Sequence, residues 1–365
     1  MELTSMNTDG GFDGLYVWAQ SASDMFTDVE GRVIDFEYFR PYFDQVGLPL
    51  ELAKSCLVDV FDKNARKPAS DPFVKFVPLS VLTRYERLPS YHEVADELVD
   101  HRDVPGFALQ GRLSWWGGTD LSASPCVFVS HRWQTEDHPD PTGSELRRIV
   151  ERLAPARKRR WFARSAGEMY LWIDFCCLPQ RTGGPLAPGD EEDFRAGLAS
   201  LAEVVKNCDL LVLDSPDYLD RAWCYAEILV WLCKIAEIHF TRTDSRTNLF
   251  RTVQTRHLVK ERGRRSDTHH RDVNVVTNLR FRGFAGSDED LLAIYQAVYT
   301  YCNNMADSAQ YHIAGGSRGF DYEYLPTVVN FLCTTWLLLR GKQAADPDDI
   351  QVCLRIIIEA LKFST

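Results

Sequence analysis

The sequence lacks a long apolar run, a surplus of positive charge and a secretory signal. Of its longest apolar stretches, residues 223–240 are interrupted by charges, and residues 328–339 are too short to cross a bilayer. No membrane span is therefore predicted. The first residues contain neither a basic nor an apolar signal-peptide region. The formal net charge is −11, and most of it lies in the first third of the chain. We therefore expect no general nucleic-acid binding, because that binding needs a basic surface.

The sequence also lacks a CxxC pair, although it contains ten cysteines. Cys176 and Cys177 are adjacent, which is a poor geometry for a disulfide. Cys126, Cys233 and Cys333 lie inside apolar runs, where a free cysteine behaves as a small hydrophobic residue. We therefore expect free thiols and a protein of the reducing cytoplasm.

The apolar pattern divides the 365 residues into three regions. Residues 1–122 have apolar residues at helical spacing and are predicted to form a separate, acidic, mostly helical region. Within it, the stretch from Phe26 to Glu37 resembles an EF-hand loop. A phenylalanine at the first ligand position cannot bind calcium, so the stretch is at best a degenerate form of that motif. Residues 123–300 are predicted to form an α/β domain, and residues 301–365 a helical C-terminal extension.

The central region alternates short apolar strands with amphipathic helices. The predicted strands cover residues 126–130, 169–175, 209–215 and 235–240. The predicted helices cover residues 144–164, 190–208 and 221–236. Such an alternation predicts a doubly wound parallel sheet with helices on both faces. Ligands of these sheets bind beyond the carboxyl ends of the strands.

The predicted strand ends contain no glycine-rich phosphate loop and no GxSxG esterase motif. They offer instead the guanidinium of Arg132, aromatic side chains such as Trp133 and Tyr218, and the carboxylate of Glu227. The candidate site is therefore built from these strand ends.

Glu227 is the most informative of these residues. Asp220 is a predicted N-cap, which places Trp223 and Glu227 one turn apart on the same face of the next helix. That helix is apolar nearly all round, and a carboxylate within it is costly unless it is paired or faces a ligand. Two interpretations remain open at this point: a structural ion pair with Arg221 or Arg132, or a carboxylate that acts on a ligand.

Three boxes within residues 124–236 resemble the TIR (Toll/interleukin-1 receptor-like) domain family. VFVSHRW resembles the first-strand box, and LWIDFCCLPQ with the helix after it is similar to the second strand and its loop. DLLVLDSPDYLDRAWCYAEI resembles the segment in which the third strand leads to a tyrosine, a Trp-Cys pair and a glutamate. His131 and Trp133 depart from the usual aromatic residue and glycine of the first box. The resemblance implies a flavodoxin-like doubly wound sheet, here with mainly helical extensions on both sides.

The resemblance also implies an activity. Glu227 takes the position of the catalytic glutamate in NAD-cleaving TIR domains. Nicotinamide is already a cationic leaving group, so one carboxylate suffices where ordinary glycosidases need two. The family implies NAD+ as substrate, no further cofactor and no metal, homo-oligomers formed through the TIR-like domain, and a role in antiviral or cell-death immunity.

Seven residues form the predicted substrate-binding set around Glu227. Arg132 would hold the diphosphate, and Trp133 or Trp223 would stack on a ring unless they pack in the core. Asp174 is expected either to fix a loop or to contact substrate. The complete set is Ser130, His131, Arg132, Trp133, Asp174, Tyr218 and Trp223.

Two other functions remain open from the sequence. The first is a non-catalytic TIR-type module that works by self-association, in which Glu227 is structural. The second is a nucleoside hydrolase or deoxyribosyltransferase-like enzyme, since those enzymes also use a glutamate on a doubly wound sheet.

Overall fold

A mixed five-stranded sheet forms the centre of the fold. The computed structural model describes residues 36–61, 72–105, 107, 126–158, 168–181, 184–213, 217–231 and 325–360. The strands of the sheet are β1 (Lys75–Pro78), β2 (Val99–Asp100), β3 (Cys126–His131), β4 (Tyr170–Trp172) and β5 (Asp209–Leu213). Their order across the sheet is β2-β1-β4-β3-β5. The α/β class predicted from the sequence is confirmed at this level.

The three strands of the central region are parallel to one another. β3 lies between β4 and β5, with Phe128 opposite Trp172 on one side and Leu210 on the other. The rings of Phe128 and Trp172 stack with their centroids 4.8 Å apart. All but the first residue of β3 are buried, as expected for a central parallel strand. The predicted fourth strand at residues 235–240 lies outside the described residues.

Two further strands come from the N-terminal region, and each of their pairings in the sheet is antiparallel. β1 pairs with β4, with Val77 opposite Leu171, and β2 pairs with β1 at the edge. The sequence predicted a separate, mostly helical region here, but the boundary at residue 122 does not separate this region from the sheet. β1 has only four residues and β2 only two. Runs this short show no period that distinguishes a strand from a helix.

Helices precede, connect and follow the strands. They are α1 (Phe36–Val46), α2 (Leu50–Phe61), α3 (Leu79–Leu82), α4 (Tyr91–Val94), α5 (Ser144–Lys158), α6 (Asp174–Cys177), α7 (Pro188–Ala199), α8 (Leu201–Asn207), α9 (described over residues 222–231), α10 (Leu325–Leu339) and α11 (Asp349–Ala360). Short 3-10 turns cover Ala95–Glu97, His101–Asp103 and Tyr218–Asp220. The single helix predicted over residues 190–208 is divided at Ser200, whose hydroxyl donates to the carbonyl of Ala196 at 3.0 Å. Such a bond to the preceding turn bends a helix.

The N-terminal and C-terminal helices pack together. α10 contacts α1 and α2, while α11 contacts α2 and α8. Gly47 ends α1 in the left-handed region, at a φ of 68°, and its carbonyl accepts a hydrogen bond from the Trp336 indole at 3.1 Å. Residues that the sequence assigned to two extensions therefore contribute to one helical layer next to α8.

One continuous apolar core links the sheet with these helices. Eight of the ten cysteines lie in the described residues, and all eight are free thiols. No helix in the described part of the chain is both long enough and apolar enough to cross a membrane.

Candidate functional site

The carboxyl ends of the three parallel strands place the predicted site residues at one edge of the sheet. His131 ends β3, and Asp174 begins α6 directly after β4. Tyr218 lies in the 3-10 turn after β5, and Glu227 lies on α9. Their side chains form two hydrogen-bonded groups, one around Glu227 and one around Asp174.

Ser130 connects Glu227 with Tyr218. The Ser130 hydroxyl donates to Glu227 Oε2, and it also bonds the hydroxyl of Tyr218. A serine hydroxyl has one proton, so when Ser130 donates to Glu227 it must accept from Tyr218. The order of donation is then Tyr218 to Ser130 to Glu227.

Burial raises the pKa of Glu227 to about 8. The hydrogen bond from Ser130 opposes this increase in pKa, the negative charge of Asp174 adds to it, and the positive charge of His131 reduces it. The raised value means that the ionised carboxylate is poorly compensated by its surroundings. A bound cation would lower this pKa, because it favours the ionised form.

The ion pair that was considered for Glu227 is not formed. Arg132 instead pairs with Asp217. Arg221 forms no salt bridge to Glu227, and its Nε is buried without a hydrogen-bond partner within the described ranges. The interpretation of Glu227 as half of a structural ion pair with either arginine is therefore wrong.

Asp174 is the centre of the second group. Its carboxylate accepts hydrogen bonds from His131 Nε2 at 2.9 Å, from the Trp133 indole at 2.8 Å and from the backbone N–H of Phe175 at 2.7 Å. Burial alone would raise the pKa of Asp174, but the charge of His131 and these donors outweigh burial and lower it. For His131 the directions are opposite: burial alone would lower the pKa of the ring, but the charge and the hydrogen bond of Asp174 raise it above its ordinary value. These two shifts favour the charged form of each partner, while His131 Nδ1 lies buried without a hydrogen-bond partner among the described residues.

The two members of this pair differ in accessibility. The His131 side chain is 2% exposed, whereas that of Asp174 is 34% exposed. The Asp174 side chain is therefore partly open to solvent, whereas the His131 ring is enclosed by the protein. Of the two outcomes expected for Asp174, fixing a loop and contacting substrate, this geometry allows both.

The two predicted stacking residues have different surroundings. Trp133 is partly buried, and its ring meets the ring of Phe175 edge-on at 5.4 Å. The indole nitrogen of Trp223 donates to Asp349 at 3.0 Å, which ties this residue to α11. Both rings are thus fixed by protein contacts, and stacking on a substrate ring stays a prediction for each.

Two residues that the sequence analysis did not single out take part in the site. Asp217 pairs with Arg132 and lies in the same box as Tyr218. The sequence signal that could have indicated this pair is the opposite charge of Arg132, after the first parallel strand, and Asp217, after the third. Asp349 is 126 residues from Trp223 along the chain, and no local pattern indicates their contact.

The surroundings of the site hold further thiols but no metal cluster among the described residues. Burial raises the pKa of the Cys177 thiol to about 12, and it also raises the pKa of Cys176 and Cys224. These thiols stay protonated near neutral pH and are poor nucleophiles. Two surface clefts, of about 290 and 260 Å³, lie between residues 82–93 and 141–151, and neither is lined by Glu227.

No family model matches the chain, and no curated protein or solved structure is significantly similar to it. The assignment of a function therefore depends on the three sequence boxes and on the geometry around Glu227.

Proposed function

We propose that this chain is a TIR-like NAD+ glycohydrolase or cyclase that breaks the nicotinamide–ribose bond, with Glu227 as its catalytic residue. The observation that carries the proposal is the state of Glu227. It is a carboxylate at the carboxyl edge of the parallel strands, without an ion pair to Arg132 or Arg221, held by a buried hydroxyl and with a pKa raised to about 8. Such perturbed groups cluster at functional sites.

The strand order supports a flavodoxin-like architecture for this enzyme. In the alternation, β3 is the first strand, β4 the second and β5 the third, and their spatial order is second-first-third. This is how a flavodoxin-like sheet begins, and its ligands bind at the switch point between the first and third strands. The bond from Ser130, on β3, to Glu227, which follows β5, spans that switch point.

The chemistry of NAD+ suits a single carboxylate of this kind. The bond between C1′ of the ribose and the nicotinamide nitrogen breaks, and its electron pair neutralises the leaving group without a general acid. Ionised Glu227 then stabilises the oxocarbenium-like ribose and accepts a proton from the water that attacks C1′. The products are nicotinamide, ADP-ribose and one proton. In a cyclase, a nucleophilic atom of the same substrate replaces the water.

The test is product analysis after incubation of the full chain with NAD+. We expect free nicotinamide from the wild type and about a hundredfold lower rate from Glu227→Gln, which keeps the shape but removes the charge. Glu203→Gln is a matched control, because Glu203 is also a partly buried helical glutamate but lies on α8. Equal turnover by Glu227→Gln and the wild type would remove Glu227 from the mechanism.

A second candidate, a nucleoside hydrolase or deoxyribosyltransferase-like enzyme, is favoured by one observation. The pKa values of the two carboxyl groups are displaced in opposite directions, upward for Glu227 and downward for Asp174. A protonated acid beside an ionised carboxylate is the arrangement that cleaves neutral glycosides. Release of a free base from nucleosides, without nicotinamide release from NAD+, would support this enzyme.

The remaining expectations from the family stay predictions. Free thiols are compatible with the reducing cytoplasm. An NAD-depleting role in antiviral or cell-death immunity follows only if NAD+ is cleaved. Assembly through the TIR-like domain predicts that turnover per molecule rises with protein concentration. If neither NAD+ nor nucleosides are cleaved even at high concentration, the non-catalytic self-association module becomes the best description.

A further inference from the structure

The two hydroxyls next to Glu227 have almost no surface of their own. Ser130 is 0% exposed and Tyr218 is 1% exposed, although both belong to the predicted substrate-binding set. Their hydroxyl groups contact each other, and Ser130 contacts Glu227 Oε2. The Glu227 residue itself is only partly buried, so it keeps a surface for a ligand while both hydroxyls stay covered.

We propose that Ser130 and Tyr218 are positioning residues rather than substrate ligands: they fix one carboxylate oxygen of Glu227 and favour its ionised form. The consequence for turnover rests on the proposed NAD+ cleavage. The hydrogen-bonded chain itself exists whether or not NAD+ is the substrate, so its effect on Glu227 is measurable without turnover.

The direction of the hydrogen bonds follows the charge of Glu227. When the carboxylate is ionised, Tyr218 donates to Ser130 and Ser130 donates to Oε2, so each hydroxyl proton ends on an acceptor. A proton on Oε2 reverses both bonds, because Ser130 must then accept from Glu227 and donate towards Tyr218. No net proton transfer is needed, since both hydroxyls only rotate.

Several other titratable groups from the packed elements act on Glu227 or on its neighbours. His131 on β3 lowers the pKa of Glu227, and Asp174 on α6 raises it. The electrostatic neighbours also include two thiols that burial keeps neutral, Cys224 on α9 and Cys353 on α11. Among these described groups, Ser130 is the one that donates a hydrogen bond to the carboxylate. Removal of the Ser130 hydroxyl therefore isolates the contribution of that hydrogen bond to the pKa of Glu227.

Infrared difference spectroscopy can titrate this one carboxyl group. The spectrum of the full chain minus that of its Glu227→Gln counterpart leaves the carboxyl band of Glu227, followed from about pH 5 to about pH 10. We expect Ser130→Ala to move the midpoint upward by about one pH unit or more, because a donor to the ionised form is lost. Tyr218→Phe should move it in the same direction by less. The double variant should move it no further than Ser130→Ala alone, since Tyr218 acts through Ser130.

Matched controls come from hydroxyls elsewhere in the described chain. Ser200→Ala removes another buried serine hydroxyl, at the junction of α7 and α8, and Tyr91→Phe removes another tyrosine hydroxyl. Both should leave the midpoint unchanged. If Ser130→Ala does not fold, Tyr218→Phe decides the question alone, because phenylalanine has nearly the shape of tyrosine.

Kinetics separate positioning from substrate binding. If NAD+ is cleaved, Ser130→Ala should lower kcat about tenfold at about pH 7, regain activity at higher pH and leave KM nearly unchanged. A raised KM at every pH with an unmoved pH profile would identify substrate ligands and overturn the proposal. An unmoved infrared midpoint in both variants would also overturn it. Failure of NAD+ cleavage alone would refute only the proposed function.

Discussion

The indole nitrogen of Trp223 donates a hydrogen bond to the carboxylate of Asp349 at 3.0 Å, which joins the helix of Glu227 to the last described helix. Backbone bonds reinforce the connection: Ala222 N–H donates to the Gln343 carbonyl at 2.9 Å, and Gln343 N–H donates to the Asp220 carbonyl at 2.6 Å. The first turn of α9 is thus held by the segment between α10 and α11. Residues outside the segment 124–236 therefore help to place Glu227.

Trp223→Phe tests this connection, because it removes the N–H donor and keeps an aromatic ring. We expect a loss of about 1–2 kcal/mol in the free energy of unfolding and a lower kcat with little change in KM. Denaturant unfolding and NAD+ kinetics measure the two effects. Asp349→Asn should behave similarly, and the double variant should lose less than the sum of the two. If Trp223 instead stacks on substrate, KM rises in Trp223→Phe while Asp349→Asn has no effect.

The sequence predicted the elements whose signals are local. Runs such as CVFVS and DLLVL are apolar and bounded by polar residues, so β3 and β5 were predictable together with their parallel arrangement. β1 was not predictable, because four residues carry too little pattern and its pairing with β4 spans about ninety residues of chain. Long-range pairing depends on the whole fold rather than on the segment itself.

The candidate site shows the same division between local and long-range information. Glu227 was predictable as an isolated carboxylate in an apolar helix. Its bond to Ser130 was not, since those residues are 97 positions apart and the bond depends on how α9 packs against β3. The raised pKa of Glu227 and the lowered pKa of Asp174 likewise arise from burial and charged neighbours that only the folded chain brings together.

Glu227→Gln should increase stability above neutral pH. The pKa of Glu227 is raised from 4.5 to about 8 in the folded chain, so the unfolded chain ionises first as pH rises. The wild type therefore loses stability between about pH 4.5 and about pH 8, and the loss persists above that range. A neutral amide escapes most of this cost, and we expect a gain of about 1–3 kcal/mol at about pH 9.

Chemical unfolding of both proteins at about pH 5 and about pH 9 checks this prediction. The stability difference should be small at the lower pH and favour Glu227→Gln at the higher one. A variant that is less stable than the wild type at both pH values would show that the carboxylate has a structural partner.

Asp174→Asn should destabilise the protein in a limited pH window. Folding lowers the pKa of Asp174. The ionised carboxylate therefore stabilises the fold at pH values above the pKa of the unfolded chain, and this stabilisation is lost as the pH falls through the pKa of the folded chain. Folding raises the pKa of His131. The protonated ring therefore stabilises the fold at pH values below the pKa of the unfolded chain, and this stabilisation is lost as the pH rises through the pKa of the folded chain. Both contributions are present between the ordinary pKa values of the two groups, 3.8 for aspartate and 6.5 for histidine.

We expect Asp174→Asn to cost about 1–2 kcal/mol near pH 5 to 6, because solvent screens the exposed part of the carboxylate, and less at about pH 9. Unfolding curves at both pH values measure the difference. Equal destabilisation at the two would mean that the charge on His131 contributes nothing and that only the neutral hydrogen bonds are lost.

Arg132→Lys tests the predicted diphosphate contact. Lysine keeps the positive charge but cannot bind two phosphate oxygens in the planar, bidentate manner of a guanidinium. We expect KM for NAD+ to rise about tenfold, with a stability change below about 1 kcal/mol because the pair with Asp217 is partly exposed. Arg148→Lys is the control, since Arg148 is also a partly exposed arginine that pairs with a carboxylate, that of the buried Glu145. If both variants leave KM unchanged, Arg132 serves only Asp217.

The two candidate enzymes predict opposite pH dependence from the same residue. NAD+ cleavage requires ionised Glu227, so kcat/KM should rise with pH up to a plateau above about pH 8. Nucleoside cleavage requires protonated Glu227 as the acid, so kcat/KM should fall as pH rises through that value. Rates with NAD+ and with nucleosides at several pH values distinguish them, and the slope identifies the active form. A rate that is flat across this range, with either substrate, means that Glu227 does not change its ionisation there and contradicts the raised pKa on which both pH profiles depend.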